Sequence, residues 1–233
     1  MSVRSPPASC VALSIPGICT APGAEFPADD EMFVLQRSIE AALPQDPSHV
    51  VQFTASRAGE GTSTVTQALG MFLAVRARRT TLILEANEAN PCVQEPQDAE
   101  RLIGWNETIL GNKPPQRAIY ASGFPRLWSS PLCVCGGAVA PVRDGAALAA
   151  FFEKLREWFD YVLIDSGPVT GCPGALAMAQ HADGTVLVLE AERTRWPVAL
   201  SAKNAILRVG GRVLGTVLNK RRHHIPSPIY RWL

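Results

Sequence analysis

The chain has 233 residues, 47% of them apolar, which suits one large α/β domain or at most two small ones around a buried core. Lys and Arg number 22 and Asp and Glu 21, so the net charge offers no long-range attraction for a polyanion. Nucleic acid is therefore not expected as a partner. No stretch approaches the roughly 20 apolar residues of a membrane-spanning helix.

The two ends of the chain differ in composition from its middle. Residues 1–28 are rich in Pro, Ala, Ser and Gly and are expected to form a flexible segment. Prolines interrupt this segment where a signal peptide would need a continuous apolar core, so export is not expected. Residues 29–220 are predicted to form one folded domain, followed by a basic and aromatic tail over 221–233.

The cysteines are scattered, and no pair has the C-x-x-C spacing of a zinc or redox site. They are expected to be reduced and mostly buried. Cys133 and Cys135 form a C-x-C pair that could chelate a metal, but their strand-like apolar context favours packed thiols.

From residue 31 onward, the apolar pattern alternates between helical and strand periodicity. A helix over 31–43 precedes a strand over 48–55, a glycine-containing loop and a long helix over 62–78. The next predicted elements are a strand at 80–86, helices at 102–110 and 145–158, a strand at 160–166, a helix at 173–181, a strand at 184–191, a helix at 195–209 and a strand at 212–219. Several strands are continuous apolar runs, as expected when helices cover both faces of a mostly parallel sheet. The predicted fold is therefore a single-domain, doubly wound α/β fold.

The loop between the first strand and its helix has the sequence context of a phosphate-binding P-loop, G-x-x-x-x-G-K-[ST]. Ser56 stands at the first glycine of that pattern and Thr62 at the lysine, whereas Gly61 and Ser63 agree with it. Strand, glycine loop and helix together predict an α/β fold of the P-loop NTPase type.

The motifs along the chain resemble, in order, those of the CpsD/CapB family of bacterial polysaccharide tyrosine kinases. The family loop T-S-x-x-P-G-E-G-K-S-T is matched by six residues: Thr54, Gly59, Glu60, Gly61, Ser63 and Thr64. Segment 85–91 resembles the family's I-D-A-D-x-R-x-P motif, with Glu85 and Asn87 in place of its aspartates. Further similarities lie at 104–111, at the Walker B strand 159–165 with Asp165 retained, at 182–184 and at 215–219, so that the resemblance spans 31–219.

The resemblance implies a site for ATP or ADP with magnesium. The residues implied at the nucleotide are Arg57, Gly59, Glu60, Gly61, Thr62, Ser63, Thr64 and Asn219. Ser63 and Asp165 are implied as magnesium ligands, and Asp165 and Glu85 as catalytic residues. Arg57 lies where the related ParA and MinD ATPases carry a lysine, so it is a candidate replacement cation; the alternative is a solvent-facing loop arginine.

Several substitutions predict that nucleotide use is weakened or absent. Thr62 is neutral where the lysine would contact the β- and γ-phosphates, and Asn87 cannot ionise. Gly174 stands where the family usually has an aspartate, and 166–168 reads Ser-Gly-Pro where the family has T-P-P. The favoured hypothesis is a degenerate regulator of exopolysaccharide, capsule or adhesin assembly. An active ATP-dependent autokinase or ATPase is the alternative, and a ParA/MinD-like positioning ATPase is a third, against which the 104–111 segment argues.

The resemblance also implies partners and a location. Family members pair with the cytoplasmic end of a membrane protein that controls polysaccharide chain length and export, so the chain is expected in the cytoplasm, held at the inner membrane by such a partner. The family's self-association motif E-x-x-R-x-x-R is matched at Glu31 and Arg37, with Val34 in its middle place. The tail carries one tyrosine, Tyr230, rather than a cluster, and its apolar and basic residues are a candidate docking segment.

Overall fold

The computed structural model describes residues 29–94, 102–135, 139–140, 142 and 144–221. The predicted flexible segment over 1–28, Cys10 and Cys19 within it, and the tail beyond Arg221 with Tyr230 lie outside the described residues. Those expectations remain predictions.

The described residues contain helices and strands close to the predicted positions. The helices are α1 (Asp29–Ala42), α2 (Thr62–Met71), α3 (Trp105–Leu110), α4 (Gly145–Trp158), α5 (Pro173–Ala179) and α6 (Trp196–Arg208). The strands are β1 (His49–Ala55), β2 (Thr81–Ala86), β3 (Cys92–Gln94), β4 (Tyr120–Ala121), β5 (Leu127–Ser130), β6 (Cys133–Cys135), β7 (Tyr161–Ser166), β8 (Gly184–Glu190) and β9 (Val213–Asn219). A π-helical stretch, Phe72–Arg76, extends α2, and a 3-10 turn spans Pro115–Ala118.

The main sheet has seven strands in the order β4-β5-β2-β7-β1-β8-β9, and all its pairs are parallel except β4–β5. This confirms the predicted doubly wound, mostly parallel α/β fold. β3 and β6 form a separate parallel pair. Within the described residues, no helix is long and apolar enough to cross a membrane.

The central strands are continuous apolar runs because each supplies side chains to two cores. Val162 and Ile164 of β7 pack with α4 on one face of the sheet. Tyr161 and Leu163, from the same strand, pack with α1 and α2 on the other. A strand buried on both faces cannot alternate apolar with polar residues, so its periodicity signal is lost and only its length and β-branched content identify it.

Strands β3, β4, β5 and β6 were not predicted from the sequence. Each has two to four residues, too few for a periodic pattern. The C-x-C pair does lie in a strand, β6, as its context indicated, and Cys133 is buried there. Cys172 is also buried, whereas Cys92 is partly exposed.

Several predicted boundaries were wrong by a few residues. α3 begins at Trp105 rather than at 102, and α2 gives way to the π-helical stretch at Phe72 rather than continuing as an α-helix to 78. α5 ends two residues early, at Ala179. Helix ends depend on local hydrogen bonding that periodicity does not reveal.

An ion pair ties α4 to the start of two strands. The Nη1 and Nη2 atoms of Arg156 donate to the two carboxylate oxygens of Asp183 at 2.9 and 2.6 Å. The same carboxylate accepts from the Val50 backbone N–H at 2.7 Å, next to the start of β1. Asp183 directly precedes β8, so its place in the 182–184 motif is explained by its role in the fold.

We expect Asp183→Ala to lower the free energy of unfolding by about 1–3 kcal/mol, between the values typical of exposed and of buried ion pairs. The expected loss lies between those two classes because the Asp183 and Arg156 side chains are 25% and 22% exposed. Glu153→Ala is the matched control, since Glu153 contacts the same arginine at 3.5 Å with a side chain that is 76% exposed. Urea unfolding of both variants checks this. If both variants lost the same free energy of unfolding, the ion pair of Asp183 with Arg156 would have no specific role in stability.

Candidate functional site

The loop between β1 and α2 depends on two glycines with left-handed backbone angles, Gly59 with φ of 84° and Gly61 with φ of 94°. At Gly61 there is a second requirement, because a Cβ atom there would lie 2.0 Å from Nδ2 of Asn219. α2 then begins at Thr62, so the first residues of the helix point their backbone N–H groups at the loop. This is the strand, loop and helix arrangement that binds phosphate groups in P-loop proteins.

The Glu60 side chain is buried and holds the loop in shape through hydrogen bonds. Its Oε2 atom accepts hydrogen bonds from the backbone N–H groups of Ser56 at 2.7 Å and Arg57 at 2.9 Å. The Ser56 and Thr194 hydroxyls also donate to this carboxylate. Burial alone would raise the pKa of Glu60, but the hydrogen bonds from Thr194, Arg57 and Ser56 outweigh it and lower that pKa. Glu60 thus holds the loop in shape through these hydrogen bonds, and its predicted contact with nucleotide stays a prediction.

Two residues at the end of β9 contact the loop from the side. Nδ2 of Asn219 donates to the Glu60 carbonyl at 3.0 Å, and Nζ of Lys220 donates to the Gly59 carbonyl at 2.6 Å. Lys220 also lies 3.5 Å from the Glu190 carboxylate. Sequence reasoning included Asn219 but missed Lys220, although a basic residue directly after the 215–219 motif was a usable signal. Thr194 was also missed, and no sequence pattern marks it.

Glu85 and Asp165 lie side by side because β2 and β7 are parallel neighbours with these residues in register. Burial, the nearby Asp165 charge and an opposing hydrogen bond from Ser129 together raise the pKa of Glu85 to about 7. Burial raises the pKa of Asp165 to about 6, against a lowering hydrogen bond from Ser63. Among the described residues, Oδ1 of Asp165 is buried without a hydrogen-bond partner.

These groups fit a magnesium ion. A buried carboxylate oxygen without a partner, a serine hydroxyl and a second carboxylate are the oxygen donors that magnesium prefers. The part of the chain that the structure describes has no group of three or more His, Cys, Asp or Glu side chains that could hold a metal. The set therefore suits an ion that keeps waters and takes further oxygens from phosphate groups, as magnesium does.

Asn87 has a local structural role. Its Oδ1 atom accepts from the Ala89 backbone N–H at 3.1 Å, and its carbonyl accepts from the Asn90 N–H at 3.0 Å. These bonds hold the turn that follows β2. Trp105, at the start of α3, donates from Nε1 to the Glu85 carbonyl at 2.7 Å, so the 104–111 segment contacts the strand of the acidic motif.

The fold brings most of the predicted site residues to one edge of the sheet. The loop 56–61 follows the end of β1, and Ser63 and Thr64 lie in the first turn of α2. Glu85, Asp165 and Asn219 each lie within one residue of the end of a parallel strand. Ligands of open α/β sheets bind at this carboxyl edge. Arg57 is exposed, so its predicted part in the site stays a prediction.

The sequence is 31% identical over 176 residues to the tyrosine-protein kinase CpsD of Streptococcus agalactiae, a match that covers 73% of this chain and 75% of the relative. The chain belongs to the CpsD/CapB family of bacterial tyrosine-protein kinases. No family profile matches it.

This CpsD/CapB member is also similar to a polysaccharide transport protein and to solved structures of the same fold. It is 26% identical over 184 residues to the succinoglycan biosynthesis transport protein ExoP of Rhizobium meliloti, covering 76% of this chain and 23% of ExoP. Its fold matches the chimerical protein CapA2B2 with a TM-score of 0.70 at 20% identity over 95% of this chain and 93% of that one. The cell division ATPase MinD of Pyrococcus furiosus gives a TM-score of 0.59 at 19% identity over 78% and 77%. These structures confirm the P-loop ATPase fold.

The raised pKa values of this carboxylate pair predict how its stability depends on pH. The pKa of Glu85 rises from 4.5 to about 7 on folding, so the folded chain binds this proton more tightly than the unfolded chain. Stability should therefore fall as pH rises through this window. Because Glu85→Gln cannot ionise, we expect the variant to be more stable than the wild type by about 1–3 kcal/mol at pH 8, with little difference at pH 4.

Urea unfolding of wild type and Glu85→Gln across this pH range provides the measurement. Glu157→Gln is the control, because Glu157 lies on α4 with a side chain that is 56% exposed. If Glu85→Gln raised the free energy of unfolding by the same amount at pH 4 and pH 8, ionisation of Glu85 would not be the cause of the stabilisation.

Proposed function

We propose that this protein is a degenerate member of its family that regulates or assembles exopolysaccharide, capsule or adhesin biosynthesis and export through protein partners. In this proposal it binds ATP or ADP with magnesium weakly and transfers phosphoryl groups slowly or not at all. The observation that carries the proposal is a loop with the shape of a phosphate site but with the neutral Thr62 where the lysine belongs.

In this proposal, the two cations near the loop, Lys220 and Arg57, do not replace the charge of the missing lysine. A P-loop lysine places a mobile ammonium on the β- and γ-phosphate oxygens, where charge must be held during transfer. Lys220 brings an ammonium to the loop, but its Nζ is hydrogen-bonded to the Gly59 carbonyl and lies near the Glu190 carboxylate. Arg57 extends into solvent from an exposed position. Electrostatic stabilisation of the transferring group is therefore expected to be weak.

The magnesium part of the site supports residual nucleotide binding. When bound, magnesium would neutralise phosphate charge and orient the terminal phosphate. Ser63 and Asp165 would hold it, since Oδ1 of Asp165 has no other partner among the described residues and Ser63 is hydrogen-bonded to the same carboxylate. Binding without efficient transfer is the combination that these side chains favour.

One observation favours the alternative, an active ATP-dependent tyrosine autokinase or ATPase. The pKa of Glu85 is raised to about 7, near the value at which a general base works best at neutral pH. Glu85 lies in register with Asp165, and in this alternative it would accept a proton from an incoming hydroxyl. The two functions differ in whether phosphate is released, which can be measured directly.

Names of relatives and exposed side chains support the proposed partners. One relative is named as a biosynthesis transport protein, in line with a partner at the cytoplasmic end of a membrane chain-length or export protein. That partner would hold the protein at the inner membrane from the cytoplasmic side. On α1, the Phe33 and Val34 side chains are 54% and 61% exposed, and they offer an apolar surface for a partner or for self-association. The relatives named as tyrosine kinases disfavour a positioning ATPase.

Restoring the lysine tests the role of Thr62. We expect Thr62→Lys to strengthen ATP–magnesium binding by about 10-fold or more, because it adds a charge-assisted hydrogen bond to a loop already shaped for phosphate. Titration calorimetry measures the change, with Gln67→Lys, on a partly exposed position further along α2, as the control for added charge. Equal affinity in wild type and Thr62→Lys would show that the missing cation is not what limits binding.

Complementation in cells tests the scaffold role. One strain carries Ser63→Ala with Asp165→Ala, and the other carries a chain truncated after residue 225; both are checked for normal protein level. If the protein works through partners, polysaccharide output should survive the first change and fail with the second, because Ile229, Tyr230 and Trp232 are large apolar groups suited to docking. The reverse pattern would favour the ATP-dependent enzyme, and magnesium-dependent phosphate release that Asp165→Asn abolishes would favour it further.

A further inference from the structure

Two cysteines face each other in the small parallel pair that β3 and β6 form. In the register of this pair, Cys92 lies opposite Cys133, although about 40 residues separate them in the sequence. Both side chains are thiols in the structure. The next position along the pair places Cys135 opposite Gln94, which carries no sulfur. The fold therefore creates one cross-strand pair of thiols here, between Cys92 and Cys133.

The geometry of neighbouring strands suits a bond between these two sulfur atoms. Register partners in adjacent strands point their side chains to the same face, and the strands lie about 4.8 Å apart. Disulfides usually join residues whose Cα atoms are about 4.4–6.8 Å apart. The strands are in close contact at this position, since the Cys92 N–H donates to the Leu132 carbonyl at 2.8 Å. Cys92 and Cys133 are thus within disulfide reach without a large movement of the backbone.

Tyr120 gives independent evidence that both sulfur atoms lie on the same side of the strand pair. Burial raises the pKa of Tyr120 against an opposing hydrogen bond with the Ile103 backbone, and charge on Cys133 and on Cys92 raises it further. Because the Coulomb interaction falls with distance, both thiols lie in the neighbourhood of this one hydroxyl group.

The two thiols differ in exposure and in how firmly they are held. Cys133 is 2% exposed, and Asn106 fixes its backbone by donating to its carbonyl at 3.0 Å and accepting from its N–H at 3.2 Å. Cys92 is partly exposed. In thiol–disulfide exchange, an accessible thiol attacks first and a neighbouring thiol resolves the mixed disulfide. Cys92 has the position of the attacking thiol, and Cys133 that of the resolving thiol.

We propose that Cys92 and Cys133 form a reversible dithiol site that small-molecule disulfides, such as oxidised glutathione, oxidise to a cross-strand disulfide. The Cys92 thiolate attacks one sulfur of the external disulfide, and one small thiol leaves. Cys133 then attacks the Cys92 sulfur of the mixed disulfide, and the second small thiol leaves. Two electrons pass from the protein thiols to the external disulfide, and the two thiol protons end on the released thiols.

The bond fastens the segment that follows β2 to α3. β3 and β6 have three residues each and lie outside the main sheet, and so short a pair is only marginally stable by itself. α3 holds β6 through Asn106, and its Trp105 donates to the Glu85 carbonyl of β2. A disulfide keeps β3 on this unit. Neither thiol belongs to the proposed nucleotide site, so the inference does not depend on whether nucleotide binds.

Peptide mapping by mass spectrometry tests the proposal on the folded, full-length chain. After exposure to oxidised glutathione at pH 8 and capping of the remaining thiols, we expect a peptide pair in which Cys92 is joined to Cys133 and which dithiothreitol separates. Cys133→Ser should stop at the mixed disulfide, with one glutathione on Cys92, because the resolving thiol is absent. Cys92→Ser should leave Cys133 unmodified, because Cys133 is buried.

Cys172→Ser is the matched control for loss of a thiol. Cys172 is buried as Cys133 is, but it lies at the start of α5, and its variant should form the Cys92–Cys133 bond as the wild type does. Circular dichroism before and after oxidation checks that the chain stays folded. The proposal is overturned if glutathione stays on Cys92 of the wild type without a bond to Cys133, if Cys92 joins another cysteine, or if Cys92 does not react.

Hydrogen exchange tests whether the bond forms in the native register. Backbone amides of β3 should exchange more slowly in the oxidised protein than in the reduced protein, because the cross-link limits opening of the strand pair. Exchange in β7 should be the same in both. Unchanged or faster exchange in β3 would show that the disulfide does not join the strands as they pair in the native fold, and the inference would be wrong.

Discussion

Parallel pairing of β1, β7 and β2 is the constraint from which the rest of the site follows. It places Phe53 opposite Asp165 and Asp165 opposite Glu85, so three segments far apart in sequence end at one edge of the sheet. The glycine loop follows β1 at this edge, and the turn that contains Asn87 follows β2. Since both faces of these strands are buried, a one-residue slip would exchange the two cores, and the register is strongly specified. The Glu85 and Asp165 carboxylates are adjacent because packing on both faces of the sheet fixes the register of β2 and β7.

Hydrogen bonds hold the glycine loop and the turn after β2 in shape, although the side chains at positions 62 and 87 carry no charge. Asn87 carries no charge, but its side chain accepts a hydrogen bond that holds the turn after β2. The Glu60 carboxylate accepts a hydrogen bond from the backbone of its own loop. Thr62 begins α2 as a lysine would, without the ammonium. Shape and charge are separable in such a site, because backbone hydrogen bonds form the loop whereas side-chain charge stabilises the transferring group. A well-formed loop is therefore weak evidence for catalysis.

The sequence predicted the main strands and the principal site residues because these depend on local patterns. β1 and β7 are long β-branched runs, and the loop motif is contiguous. The short β3–β6 pair left no periodic signal, and it joins segments about 40 residues apart, with Cys92 opposite Cys133. The sequence also cannot show that the Glu88 carboxylate lies close to Gly174. Lys220 and Thr194 were missed for the same reason: their contacts with the loop join residues distant in sequence.

The retained carboxylate pair carries a free-energy cost that bears on whether the site still functions. Burial raises the pKa values of both Glu85 and Asp165, and the Asp165 charge raises that of Glu85 further, so ionising both destabilises the fold at neutral pH. A site that had lost every ligand would become more stable by replacing either carboxylate with an amide, as position 87 carries an asparagine already. Both carboxylates nevertheless remain, one of them with an oxygen that has no partner among the described residues. A bound cation would offset this cost by favouring the ionised forms, so under the proposed function this carboxylate pair is the part of the fold that would hold magnesium without the loop lysine.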